Sequence, residues 1–441
     1  MPEEPLIMVC VGDISGNVRG KSIPVSTFNA DMTRPIGWTP TNVQITCFGV
    51  IAETPYGPFG DLVMTPDPRT EARVAFGDHV PAEHLVLSDL TWPDGSMWEC
   101  CTRSILRNAL ETLRSETGLT LRAAFEHEFM FKTGGASALN HSGAAYSIGG
   151  VRRHKAFGEV FLGALREAGM SPETFLREYG PNQYEVTIEP ARGVTAADNA
   201  VILRELARAS ARSLGEDITF TPLIAPAEVG NGVHVHFDFL DENGKPATSD
   251  PDAPEQIDAT AGAFVAGILK HLGSSAALTA ASIPSYTRLT PHRWSAAFNN
   301  LGYRDREAAV RICPRPNDAD ISSGGRLHFE YRVADAAANP HLLLATLVLA
   351  GTHGIRSGLT TPPATREDLT EVSAGDLDAR GISGLPSSLH EALDRLEADE
   401  TVRSWFPEKF VDVYLAHKRG EIGVLKGKTE DEICAAYAEV Y

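Results

Sequence analysis

At 441 residues the chain exceeds one ordinary domain of about 100–200 residues, so two or three domains are expected. Its 43% hydrophobic and 22% charged residues suit a globular protein with a sizeable core. A formal charge of −19 excludes general affinity for nucleic acid or an anionic membrane surface, although local basic pockets for phosphate are compatible with it.

Residues 1–100 read as short strands and turns: the apolar segments 43–48 and 61–64 are bounded by Gly, Pro and Asp. Leu106, Leu110 and Leu113 then recur at helical spacing until Gly118, which places a domain boundary near residue 101. Thr195 with Asp198 three residues on predicts a capping box for a helix running to Gly215. Residues 240–254 read as a polar loop, and 387–399 and 429–440 as helices, the last opening with Thr429 and Glu432. The six cysteines (Cys10, Cys47, Cys100, Cys101, Cys313, Cys434) have no CxxC spacing, which suits a reduced protein. The start, MPEEPLIMVC, makes a poor signal peptide, and the apolar run 342–350 is too short for the roughly 20 residues of a membrane span. A soluble cytoplasmic protein with no membrane or nucleic-acid partner is expected.

The chemistry is written on strands with one polar face, because side chains at i and i+2 point the same way. In AFEHEFMF, Glu126 and Glu128 share a face; in GVHVHF, His234 and His236; in LHFEYRV, His328, Glu330 and Arg332. EYGPNQYEV sets Glu178 and Glu185 seven apart across a Gly-Pro turn. One such strand is most simply an amphipathic strand with a solvated face. Four together supply five carboxylates and one or two histidines, a hard donor set suited to Mg²⁺ or Mn²⁺ rather than Zn²⁺. Arg288, Arg304, Arg306, Arg311 and Arg332 add guanidinium groups for an anionic substrate, and such metals with arginines are what phosphoryl transfer requires.

In order along the chain, DISGNVRGKSIP, EHEFMF, GPNQYEV, GNGVHVHF, SYTRL, DREAAVR and FEYRVADAAANPHLLLATLVLAG resemble the glutamine synthetase family over nearly the whole sequence. The resemblance implies an α+β fold: an N-terminal β-grasp domain (1–101) and a catalytic domain on a curved antiparallel sheet (102–441). It also implies a homo-oligomer, a dodecamer of two stacked hexamers with active sites between subunits. Carried over, Glu128, Glu178 and Glu185 would hold one metal and Glu126, His234 and Glu330 another, with two or three Mg²⁺ or Mn²⁺ per site. His236, Arg306 and Arg311 would face ATP and the transferring phosphoryl group; Arg288, Arg332 and Gly230 would bind glutamate. The implied reaction phosphorylates the glutamate side chain, and an amine then displaces phosphate.

Two departures concern the amine. Family members that use ammonia hold it with an acid after the position of Phe48 and a glutamate in the flap; here Gly49 and Trp294 stand there. Ammonium is charged at pH 7 and needs anions to hold and deprotonate it. Trp294, Phe48 and Tyr146 as substrate-binding residues, with Phe298 nearby, instead suit an organic amine with an apolar or aromatic body. His328 stands where an arginine is usual, Val229 replaces a polar residue, and Ser383 lies where some members carry a modified tyrosine. A γ-glutamylamide synthetase is the favoured reading. The runners-up are a true glutamine synthetase, with an acid supplied by the loop around Glu53, and an inactive structural or regulatory relative.

Overall fold

Short apolar stretches separated by Gly, Pro and Asp build the first of two sheets. The computed structural model describes residues 3–77, 80–132, 144–313 and 327–441. Strands β1 (Leu6–Gly12), β2 (Val18–Pro24), β3 (Ile36–Trp38), β4 (Leu62–Pro66), β5 (Ala72–Val74) and β6 (Glu83–Thr91) run in the order β2-β1-β6-β4-β3, with β5 also on β6. Only the β1–β6 pair among them is parallel. The segment 61–64 falls in β4, but 43–48 is not a strand. Pro40 instead starts a 3₁₀ turn over Pro40–Gln44, with the Thr39 side chain accepting the Thr41 N–H.

The larger sheet comprises β7 (Thr120–Phe131), β8 (Pro172–Arg177), β9 (Gln183–Ile188), β10 (Ala191–Arg192), β11 (Ile218–Thr219), β12 (Val233–Leu240), β13 (Phe298–Tyr303), β14 (Ala308–Cys313) and β15 (His328–Tyr331). Its order is β13-β14-β15-β12-β7-β9-β8, antiparallel except for β13 against β14. The chain is thus α+β, as expected.

Helix Thr102–Thr117 buries Leu106 and Leu113 and ends at Gly118, whose φ of 74° is the left-handed turn glycine favours. The box at Thr429 forms in both directions with Glu432 on helix Glu430–Ala438, and Ser388 caps helix Leu389–Ala398. The one expected at Thr195 does not form. Helix Val194–Ser213 starts after Gly193 without a side-chain cap, because Asp198 is buried and accepts from Arg103 (Nε, 2.9 Å), with His341 Nε2 2.8 Å away. Tertiary ion pairing has taken the acid that the local motif needed.

Helix Ala259–Thr279 is long and apolar enough to cross a membrane, but 83% of its apolar window is buried within the protein. It packs on helix Pro340–Arg356 so closely that a Cβ at Gly267 would lie 2.2 Å from the Ala350 carbonyl oxygen. Its apolarity is that of a core helix.

Candidate active site

Strict alternation on β7 buries Phe125, His127 and Phe129 in the core and turns Glu126 and Glu128 to the other face. Strand register then gathers the chemistry. His234 of β12 lies opposite Glu126, and Glu185 of β9 opposite Glu128. On the other flank Glu330 of β15 lies opposite both His236 of β12 and Arg311 of β14. Directly opposed residues are neighbours on a sheet face, so five strands deliver one constellation. Glu178 follows β8 and is held by the Tyr146 hydroxyl (2.8 Å) and the Tyr179 N–H (3.1 Å).

The groups are within contact. His234 Nδ1 lies 2.8 Å from Glu126 and 3.5 Å from Glu330; His236 Nε2 lies 3.4 Å from Glu126 and 4.0 Å from Glu330. Both imidazoles therefore border the same pair of acids, and ligand atoms of Glu126, His236 and Glu330 converge within 4.8 Å. Glu128 accepts from the Gly232 N–H (2.8 Å) and Gln183 Nε2 (3.1 Å). Gln183 is also within hydrogen-bond reach of the Gly230 carbonyl (2.9 Å), and a Cβ at Gly230 would collide with Arg288 at 2.6 Å.

The electrostatics are those of a site short of positive charge. Burial, then repulsion from Glu126, Glu128 and Glu178, pushes Glu185 up to about 10. Burial pushes Glu128 up to about 8, opposed in part by the Gly232 hydrogen bond, and Glu178 is raised as well. Glu330 goes the other way: although burial disfavours its charge, Arg332, His234 and His236 hold it down at about 2. One flank is thus neutralised by the protein's own cations, and the other keeps crowded carboxylates that divalent cations would neutralise. The donor set, oxygen-rich with one or two imidazoles, fits Mg²⁺ or Mn²⁺.

The arginines divide by commitment. Arg311 Nη1 donates to Glu330 at 2.6 Å, and its Nε is buried with no partner among the described residues. Arg288 is buried, donates from Nη2 to the Ala334 carbonyl at 3.0 Å, and likewise leaves Nε without a partner. Arg332 is spent on scaffolding, donating to Glu330, to the Arg306 carbonyl (2.7 Å) and to the Trp294 carbonyl (3.1 Å). Arg306 lines the cavity without a hydrogen bond from its guanidinium to any described residue.

Two cavities meet at Glu126. One, of ≈ 400 Å³, is lined by the carboxylates, Arg288, Arg306 and Arg332, and by Tyr146, Tyr179 and Trp294. The other, of ≈ 260 Å³, contains His236, His328, Phe125 and Asp238. Trp294 is 54% exposed, so it is no core residue, and at φ 55° it occupies the left-handed region that bulky side chains avoid. Glu307 holds it there by accepting the Trp294 N–H at 3.1 Å. Its ring centroid lies 5.2 Å from that of Tyr179, which lies 5.5 Å from that of Tyr146.

Of the residues expected around the amine, Phe48 stands apart from this face. It packs on Tyr437, ring centroids 5.0 Å apart, and does not line the cavity of its own chain. Glu53 and Phe298 do not line it either. Tyr179, Gln183, Glu228, Glu307 and Cys313 escaped the reading of the sequence, although Tyr179 and Gln183 lie inside the informative EYGPNQYEV stretch.

Comparison with known proteins gives one consistent result. Residues 3–98 match the glutamine synthetase N-terminal domain, and residues 99–437 the glutamine synthetase catalytic domain. A γ-glutamylpolyamine synthetase of Streptomyces coelicolor is 30% identical over 441 residues, covering 99% of this chain and 93% of that protein. A type-1 glutamine synthetase of Dictyostelium discoideum is 26% identical, covering 100% and 90%. A crystal structure described as a novel glutamine synthase homolog superposes with a TM-score of 0.90 at 39% identity, covering 100% and 99%.

Proposed function

The chain belongs to the glutamine synthetase family of ATP-dependent ligases that form carbon–nitrogen bonds, and from that premise we propose that it joins the γ-carboxylate of glutamate to an organic amine with an apolar or aromatic body. The observation that carries the choice of amine is Trp294, exposed over the larger cavity beside Tyr179 and held in a strained backbone conformation. Strain of this kind persists where the surroundings impose it, and it concentrates at functional sites.

In this reading Glu128, Glu178 and Glu185 hold one divalent cation, and Glu126, Glu330 and His234 another, with His236 at their edge toward the phosphates. Such cations supply charge neutralisation at the transferring phosphoryl group. ATP lies on the His236 side of Glu126 and glutamate on the Arg288 side, which suits the two cavities. The partnerless Nε of Arg288 receives a substrate carboxylate, while Arg306 and Arg311 face the phosphoryl oxygens. Phosphate is a far better leaving group than the oxide of a free carboxylate, and the amine displaces it. An arylamine is neutral at pH 7, so it attacks without a carboxylate to hold and deprotonate it beforehand, and the nitrogen proton is lost to water once the C–N bond has formed.

The cavity also favours a second reading. Glu228 lines it outside the metal-holding group, and aromatic walls attract ammonium groups, which suits a diamine or polyamine with a distal charge. The γ-glutamylpolyamine synthetase relative points the same way.

The amine side is completed, in this proposal, by a neighbouring subunit of a dodecamer of two stacked hexamers. Support comes from the loop after Phe48, where Ile51 (72%) and Phe59 (77%) are exposed apolar residues.

The deciding assay is ATP- and glutamate-dependent phosphate release with ammonium, methylamine, putrescine, isopropylamine and aniline. Turnover is expected with aniline and isopropylamine, and weakly or not at all with ammonium. Turnover with ammonium alone would make the chain a true glutamine synthetase. Turnover with putrescine that Glu228→Gln abolishes would select the polyamine.

A further inference from the structure

At the far end of β14, Cys313 pairs directly with His328 of β15, and His236 lies on the adjoining strand β12. Ligand atoms of His236, Cys313 and His328 all fall within 4.8 Å of one another, and the two imidazole centroids are 5.2 Å apart. The thiol of Cys313 is buried, whereas both imidazoles border the smaller cavity, so the sulfur is shielded and an ion has a way in. The Cys313 sulfur also lies 3.7 Å from Glu330 Oε2.

We propose that His236, Cys313 and His328 form a soft-cation site that takes Zn²⁺, beside the carboxylate face and sharing its His236 edge. Thiolate and imidazole select Zn²⁺, while Mg²⁺ requires oxygen ligands. Three protein donors leave a fourth position for Glu330 or solvent. Binding converts the Cys313 thiol to thiolate and releases its proton to water. An ion here draws His236 away from Glu126, 3.4 Å distant, so Zn²⁺ inhibits even when Mg²⁺ is saturating. That consequence rests on the ligase reading; the binding itself does not.

The test titrates metal-free protein with Co²⁺ in excess Mg²⁺. One equivalent is expected to give a thiolate-to-cobalt charge-transfer band in the near ultraviolet, bleached by Zn²⁺. Cys313→Ser should abolish the band, and His328→Gln should weaken Co²⁺ binding at least about tenfold. Absence of the band in the unaltered protein, or its survival in Cys313→Ser, would overturn the site. In turnover, Cys313→Ser should raise the inhibitory Zn²⁺ concentration at least about tenfold relative to the unaltered protein. Equal inhibition of both would overturn the inhibitory role. A protein that shows the band but turns over no amine would refute the ligase reading and leave the metal site standing.

Discussion

Glu330 and Trp294, one an acid of the carboxylate face and the other the exposed aromatic over the larger cavity, are held by a single guanidinium. Arg332 donates to the Glu330 carboxylate and to the Trp294 carbonyl, and its Nε donates to the Arg306 carbonyl. A lysine ammonium has three donors but on a single nitrogen, so it cannot span the acceptors that Nε, Nη1 and Nη2 of Arg332 reach separately. Arg332→Lys should therefore lower metal affinity about 10–100-fold and reduce turnover with every amine. Calorimetric titration with Mn²⁺ beside phosphate release checks both; unchanged Mn²⁺ affinity would remove Arg332 from this role.

Much of this site was legible because strands expose it by counting in twos. Glu126, Glu128, His234 and His236 could be assigned to one face from spacing alone, and β7 and β12 put them there. What spacing cannot give is register: nothing local says that His236 stands opposite Glu330 or that Cys313 meets His328. Local motifs also fail where tertiary partners outbid them, as when Arg103 and His341 claim Asp198. The sequence drew attention to Trp294, but not to the Glu307 hydrogen bond that props it.

Crowded acids make metal binding release protons. Glu185 is pushed up to about 10 and Glu128 to about 8, both chiefly by burial. Their folded values lie above the unfolded value near 4.5, so the stability they contribute is full below that value and is lost as pH rises toward 8 and 10. Metal-free protein should thus melt at lower temperature at pH 9 than at pH 6, and the rise in Tm on adding Mg²⁺ should grow with pH. Calorimetry in buffers of different ionisation enthalpy should count protons released on binding at pH 7. No release would mean these acids are already ionised.

Removing the flap aromatic should change selectivity more than chemistry. Trp294→Ala deletes a large apolar wall of the cavity but leaves the backbone N–H to Glu307 and the carbonyl to Arg332. KM for a bulky amine should rise about 10–100-fold, the equivalent of roughly 1.4–2.8 kcal/mol, while KM for ATP changes little. Kinetics with the preferred amine and with methylamine separate the two; a uniform loss across amines would assign Trp294 to flap structure instead.

A fully buried ion pair between Lys418 and Glu421 bears on stability. Lys418 Nζ lies 3.0 Å from Glu421 Oε2, both side chains are fully buried, and the Tyr437 hydroxyl donates to the other Glu421 oxygen at 2.7 Å. On the same helix, Phe410–Val424, His417 Nδ1 lies 2.7 Å from the Val43 carbonyl, so the pair sits where that helix meets the N-terminal segment. Removing one member leaves an uncompensated charge in a medium that cannot solvate it, whereas removing both leaves a polar hydroxyl and an apolar gap. Lys418→Met is therefore expected to destabilise the protein by about 3–5 kcal/mol, and Lys418→Met with Glu421→Gln by markedly less. Denaturant midpoints of the two variants, compared at equal protein concentration, check this; equal losses would show that packing, rather than the orphaned carboxylate, dominates at this position.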